Sequence, residues 1–189
     1  MLSIDLKNIR FGISFSFFAL IGIIFILEQA SVEKILLILI CCCMHETGHI
    51  IMMFLCNIPP KSIILYGGGI KIQPDKSKLI AEWQDALILS AGCIVNLITV
   101  GAIIFLKHEL TFFASANLFL GLFNLMPVKY FDGGRILSIA LKDSRAVRLI
   151  RVGFILAFGY IIATMFFNGF FSVSLILTFI YIVTSEFFT

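Results

Sequence analysis

Six apolar stretches, at about residues 11–28, 32–56, 85–106, 112–127, 147–167 and 170–187, leave this chain few ways to fold. Most are close to the roughly 20 residues that an α-helix needs to cross the hydrocarbon core of a bilayer. Between them the polar supply is thin: 60% of the residues are apolar and 13% are charged, against about 25% charged in a typical soluble domain. That is too little polar surface to face water, which excludes a soluble domain, a disordered chain, a collagen-like chain and a disulfide-dense module. The expectation is an all-α polytopic membrane protein of about six transmembrane helices, forming a single domain over residues 1–189.

The net charge of +3 is not gathered on an aromatic-bearing polar face, so no nucleic-acid partner is expected. Cys41, Cys42, Cys43, Cys56 and Cys93 lie in or beside apolar runs. Adjacent cysteines on a helix point in different directions, so these read as small core residues, not as a metal box or a disulfide framework. The first run follows Lys7 and Arg10, as a signal peptide would. Its length and the poor cleavage sequence Glu28-Gln29-Ala30 favour a retained first span.

The segment Asn57 to Gln84 is more polar and holds Pro59-Pro60 and Gly67-Gly68-Gly69. With Ile63 to Tyr66 before the glycines and Ile70 to Gln73 after them, it reads as a short hairpin around a flexible turn. The fourth stretch ends at Pro127, Val128 to Gly134 breaks the helix, and Arg135 to Leu141 resumes it. With the N-terminus in the cytoplasm and six crossings, all fourteen basic residues except Lys34 and Lys107 fall inside. That asymmetry sets the orientation, with both termini cytoplasmic. Arg135, Arg145, Arg148 and Arg151 then read as anchors to anionic headgroups.

Ionisable side chains inside a span are costly and are functional candidates by default. The clearest cluster is His45-Glu46-Thr47-Gly48-His49 in the second stretch. On one helix His45 and His49 lie a turn apart on the same face, a spacing at which two imidazoles bind one zinc ion. Glu46 beside them can take a proton from water at the metal. Gly48 permits close helix packing.

A catalytic zinc commonly has three protein ligands. The one other histidine, His108, sits between Lys107 and Glu109 at a span end expected to face outside, which makes it a poor third ligand. Asp132 is better. It follows the break at Pro127, which cannot continue a helical ladder, and precedes Gly133-Gly134, which allow a sharp turn. Irregular backbone at membrane depth is tolerated where it is buried in protein or lines a wet cavity.

His45-Glu46-Thr47-Gly48-His49, followed by Asn124-Leu125-Met126-Pro127-Val128-Lys129-Tyr130-Phe131-Asp132-Gly133, resembles the site-2 protease family of intramembrane zinc metalloproteases. That family pairs H-E-x-x-H with N-x-x-P-x-x-x-x-D-G. The resemblance implies one Zn2+ held by His45, His49 and Asp132, with Glu46 as general base. Ser90 to Asn96 looks like the family's A-G-P-x-x-N segment, with Cys93 where proline is usual. Tyr66 to Ile72 is similar to its membrane-associated hairpin.

The resemblance covers about residues 35–140. The loop before the third stretch is too short for a PDZ domain, and the apolar end at Thr189 leaves no nucleotide-binding module expected. The likeness is therefore to the compact subfamily that includes the bacterial sporulation sigma-factor-processing protease. It implies a bacterial plasma membrane location, a catalytic opening toward the cytoplasm, a membrane-anchored protein substrate, and room for a regulatory membrane partner. Asn96 and Asn124 are candidates to hydrogen-bond substrate or hold the Asp132 segment. Gly67, Gly68, Gly69 and Ile70 are candidates to pair with an extended substrate strand. A zinc or proton-coupled transporter and an inactive membrane scaffold are the alternative readings.

Overall fold

The computed structural model describes residues 2–6, 9–15, 17, 31–66, 69–74, 80–142, 144–169 and 173–187. The chain divides into two compact units, Met1–Gly121 and Leu122–Thr189.

Among its described residues the first unit holds a four-stranded sheet and three long helices, the third running on to Asn124. Strands β1 (Leu2–Leu6), β2 (Ile9–Ile13), β3 (Pro60–Tyr66) and β4 (Gly69–Pro74) lie in that order across the sheet. The expected hairpin is β3–β4, antiparallel with Leu65 opposite Ile70 and Ile63 opposite Ile72. Gly67 and Gly68 of its turn lie outside the described residues.

The sheet is larger than a hairpin. β1 pairs with β2, and β2 pairs parallel to β3, with Phe11 opposite Ile63. A first span beginning at Phe11 is thereby corrected: Phe11 to Ile13 have their backbone groups committed to a ladder, which a helix starting there would break. Residues 16 and 18–28 of that expected span lie outside the described residues.

Helix α1 (Val32–Leu55) starts at Ser31, whose hydroxyl accepts from the Lys34 N–H at 3.4 Å. It ends where Asn57 adopts a positive φ of 59°. Helix α2 (Glu82–Lys107) begins where the Gln84 side chain accepts from the Ala81 N–H and donates to the Cys56 carbonyl, tying its start to the end of α1. Helix α3 (Phe112–Asn124) opens with the Thr111 hydroxyl accepting from the Ala114 N–H. Buried Met53, Ile58 and Ile88 form a small core, with Ile72 of β4 packed against it.

α1 and α2 approach closely at Gly48. A Cβ there would stand 2.7 Å from the Ala91 carbonyl oxygen, so only a glycine fits. Cys41, on the same face, is buried and takes a hydrogen bond from the Asn117 amide at 3.1 Å. All five cysteines are free; Cys41 and Cys93 are buried as expected, whereas Cys42 and Cys56 are half-buried and Cys43 is exposed.

The second unit contains α4 (Asp132–Leu141), α5 (Arg145–Phe167) and α6 (Val173–Phe187). Its core is Val128, Phe131, Ile155 and Ile182, with Phe123, Phe158 and Phe179 packed around it.

Helices α1, α2 and α5 are long and apolar enough to cross a membrane, while α3 and Leu175–Thr184 within α6 are shorter apolar helices. The expected stretches near 32–56, 85–106 and 147–167 thus have the length of spans. The 13 residues of α3 rise only about 20 Å, short of a hydrocarbon core of about 30 Å. The outward faces are apolar: Phe105 is 79% exposed and Phe167 86%. Patches of that character face lipid, not water, and the chain is an integral membrane protein.

Candidate metal centre

The buried residues of α1 include Cys41, His45, Gly48, His49 and Met53, the i, i+4, i+8 recurrence of one helix face. His45 and His49 are 4% and 8% exposed. Their rings meet edge to face, with centroids 4.7 Å apart and planes at 85°. The two Nε2 atoms are 3.1 Å apart. Two nitrogens bound to one tetrahedral zinc at about 2.0–2.1 Å stand roughly 3.3 Å from each other, so the pair is spaced for a single ion.

His49 Nδ1 lies 2.7 Å from the Ile88 carbonyl oxygen. A carbonyl only accepts, so the Nδ1 carries the hydrogen and Nε2 keeps its lone pair for a ligand. Gly92 of α2 makes room for both rings: a Cβ there would stand 2.7 Å from His49 Cε1 and 2.8 Å from His45 Cε1. Glu46 follows His45 directly and is half-buried.

In the second unit, Asp132 is the first residue of α4, after Phe131 at the N-cap. The expectation placed Asp132 on the turn and resumed the helix at Arg135; the helix starts at Asp132 itself. A carboxylate in a first turn is favoured by the helix dipole. The break before it is compact. Val128 N–H donates to the Met126 carbonyl at 2.8 Å, Phe131 N–H to Val128 at 3.0 Å, and Arg135 N–H to Phe131 at 3.1 Å. Val128 and Phe131 are buried, and the Phe131 ring packs 4.6 Å from Phe123. Cβ atoms at Gly133 and Gly134 would collide with the Leu125 and Val128 carbonyls, which is the physical demand behind the glycine pair.

Among the described residues, His45 and His49 in the first unit and Asp132 in the second each offer a ligand atom of the kind a metal takes. Two imidazole nitrogens and a carboxylate oxygen suit zinc. His108 is not in that group. It caps the exposed end of α2 with a φ of 53°.

Asn96 is fully buried on α2, and both its amide oxygen and nitrogen lack partners among the described residues. Asn124 is half-buried at the end of α3. Gly69 opens β4 and Ile70 follows it, on the outermost strand of the sheet.

Sequence reasoning missed the Ile88 carbonyl, Gly92, and the pairing of Arg151 with Glu186. Arg151, expected at the headgroups, has a side chain only 11% exposed, as does Glu186. A signal for Glu186 was available: it is an acid inside an apolar stretch.

The family model of peptidase family M50 matches residues 104–166. No curated protein sequence matches the chain. Among solved structures, the fold is similar to the site-2 protease from Methanocaldococcus jannaschii. That match has a TM-score of 0.63 and 21% identity, covering 98% of this chain and 94% of that one. The match to the peptidase family M50 model lies in the part of the chain that carries Asn124 and Asp132, and the likeness of fold to a site-2 protease extends over nearly the whole chain.

Proposed function

We propose that this chain is an intramembrane zinc metalloprotease that hydrolyses a peptide bond in or near the transmembrane segment of a membrane-anchored protein, in regulated intramembrane proteolysis. The observation that carries the reading is the His45–His49 pair: two buried rings on a membrane-spanning helix, Nε2 atoms 3.1 Å apart, with a carboxylate at the next residue. His45, His49 and Asp132 hold the ion. Zinc, when bound, polarises the scissile carbonyl and makes water acidic enough to attack near neutral pH.

Glu46 takes the proton of the attacking water as its oxygen bonds to the carbonyl carbon. When the C–N bond breaks, Glu46 returns that proton to the amine nitrogen. The Ile88 carbonyl keeps His49 in the tautomer that presents Nε2. The buried amide of Asn96 offers a donor and an acceptor to the unwound substrate backbone, and Asn124 supports the Asp132 segment.

A substrate helix hides its peptide groups in its own hydrogen bonds, so it must be presented extended. The outer edge of β4, from Gly69 through Ile70, pairs with it as an added strand. By this reading residues 1–189 form one protease domain with its core at about 35–140. It is of the compact sporulation-type subfamily, set in a bacterial plasma membrane with both termini and the catalytic opening cytoplasmic.

The test is reconstitution of the full chain in vesicles with a single-span substrate. Chelation should stop cleavage, and added zinc should restore it. Zinc-dependent ion flux without proteolysis would instead favour a transporter.

A further inference from the structure

We propose that Arg151 and Glu186 form a clamp that positions Asp132 by gripping the chain on both sides of it; this rests on the reading above that Asp132 is a metal ligand. The two charges meet at 3.4 Å between Arg151 Nη1 and Glu186 Oε1, both side chains being 11% exposed. Each partner has a second task. The other carboxylate oxygen of Glu186 accepts the Lys129 backbone N–H at 3.1 Å. Arg151 Nη2 donates to the Gly134 carbonyl at 3.0 Å and to the Ser138 hydroxyl at 2.7 Å. Ser138 in turn donates to the same Gly134 carbonyl at 3.1 Å.

Asp132 therefore sits between two held points, Lys129 and Gly134, joined through one ion pair. Glu186 comes from α6 and Arg151 from α5, so two helices fix the break from outside it. Packing alone does not need this pair. α5 and α6 already share an apolar core at Ile155, Phe158, Phe179 and Ile182, and a buried ion pair is often no more stabilising than apolar side chains of the same volume. What apolar side chains cannot do is bond to a backbone N–H and a carbonyl at chosen places. Arg151 is thus a positioning residue, and its fork geometry is used: one nitrogen for Glu186, the other for Gly134 and Ser138.

The test uses the purified full chain with Arg151→Lys, Glu186→Gln, Arg151→Met, the Arg151→Met/Glu186→Gln double variant, and Asp132→Asn. Zinc affinity is read by competition with a chromophoric chelator, and kcat and KM with a single-span substrate. Support residues of metal ligands typically shift affinity or activity by about 10–100-fold. Arg151→Lys and Glu186→Gln should each weaken zinc binding within that range and lower kcat, leaving KM within about twofold. The double variant should be no worse than the weaker single one, because either change opens the clamp.

Clamp variants that keep wild-type zinc affinity and kcat, even with a lowered thermal midpoint, would overturn the proposal and leave the pair a structural one. Asp132→Asn separates the two ideas. Should it bind zinc as tightly as wild type, the ligand reading fails. Should it alone lose zinc while the conservative clamp variants do not, the ligand reading stands and the clamp fails.

Discussion

A β-carbon on Gly92 would press on both imidazoles, at 2.7 Å from His49 Cε1 and 2.8 Å from His45 Cε1. Gly92→Ala should therefore push the rings off a common ion and weaken zinc binding by at least about tenfold, the low end for changes to the support of a ligand. Gly101→Ala is the matched control, since a Cβ there meets nothing within 4 Å and should leave zinc binding unchanged. Zinc competition on both variants checks this, with circular dichroism to show that the helices persist. The His45–His49 pair was legible in the sequence because ionisable groups in an apolar run stand out. Gly92 was not, since glycine is common in membrane helices and its constraint comes from another helix. Arg151 was misread because a basic residue near a span end already has a sufficient explanation at the headgroups.

The helices near 32–56, 85–106, 112–127, 147–167 and 170–187 were readable from apolar run length, and β3–β4 from the glycines between two β-branched segments. The strands Leu2–Leu6 and Ile9–Ile13 were not. Leu2–Leu6 is short, Phe11 merges into the apolar run behind it, and the parallel partner of β2 is far along the chain, at Ser62 to Leu65. The start of α4 was missed by three residues because Gly133-Gly134 reads as turn. Here the pair instead lets the first turn of the helix pack against the Leu125 and Val128 carbonyls.

β4 ends the strand order, so its outer edge is where an extended segment would add. Proline cannot donate to a ladder. Ile70→Pro should cut cleavage at least tenfold, a roughly 1.4 kcal/mol effect on the barrier, while zinc affinity stays at the wild-type value. Ile72→Pro tests the next position on the same face, with Ile72 also packed against the core of Met53, Ile58 and Ile88. Unchanged turnover in both variants would count against strand pairing.

Across the whole molecule, a chain with 13% charged residues spends few of them away from its surface. Two groups stand out among the described residues: the buried histidine pair with its half-buried neighbouring carboxylate on α1, and Arg151 with Glu186 beside the segment that carries Asp132. In the proposed function, lipid-facing helices supply the dry surroundings, and the polar groups supply a place for water and a substrate carbonyl. A membrane protease needs both, whereas a scaffold or a passive metal store has no use for the carboxylate of Glu46. The measurement is cleavage of a reconstituted single-span substrate by wild type and Glu46→Gln, with bound zinc determined on the same samples. Loss of a general base typically costs about 10²–10⁴-fold. Glu46→Gln should keep its zinc and lose cleavage by that factor; zinc retained with cleavage at the wild-type rate would contradict the mechanism.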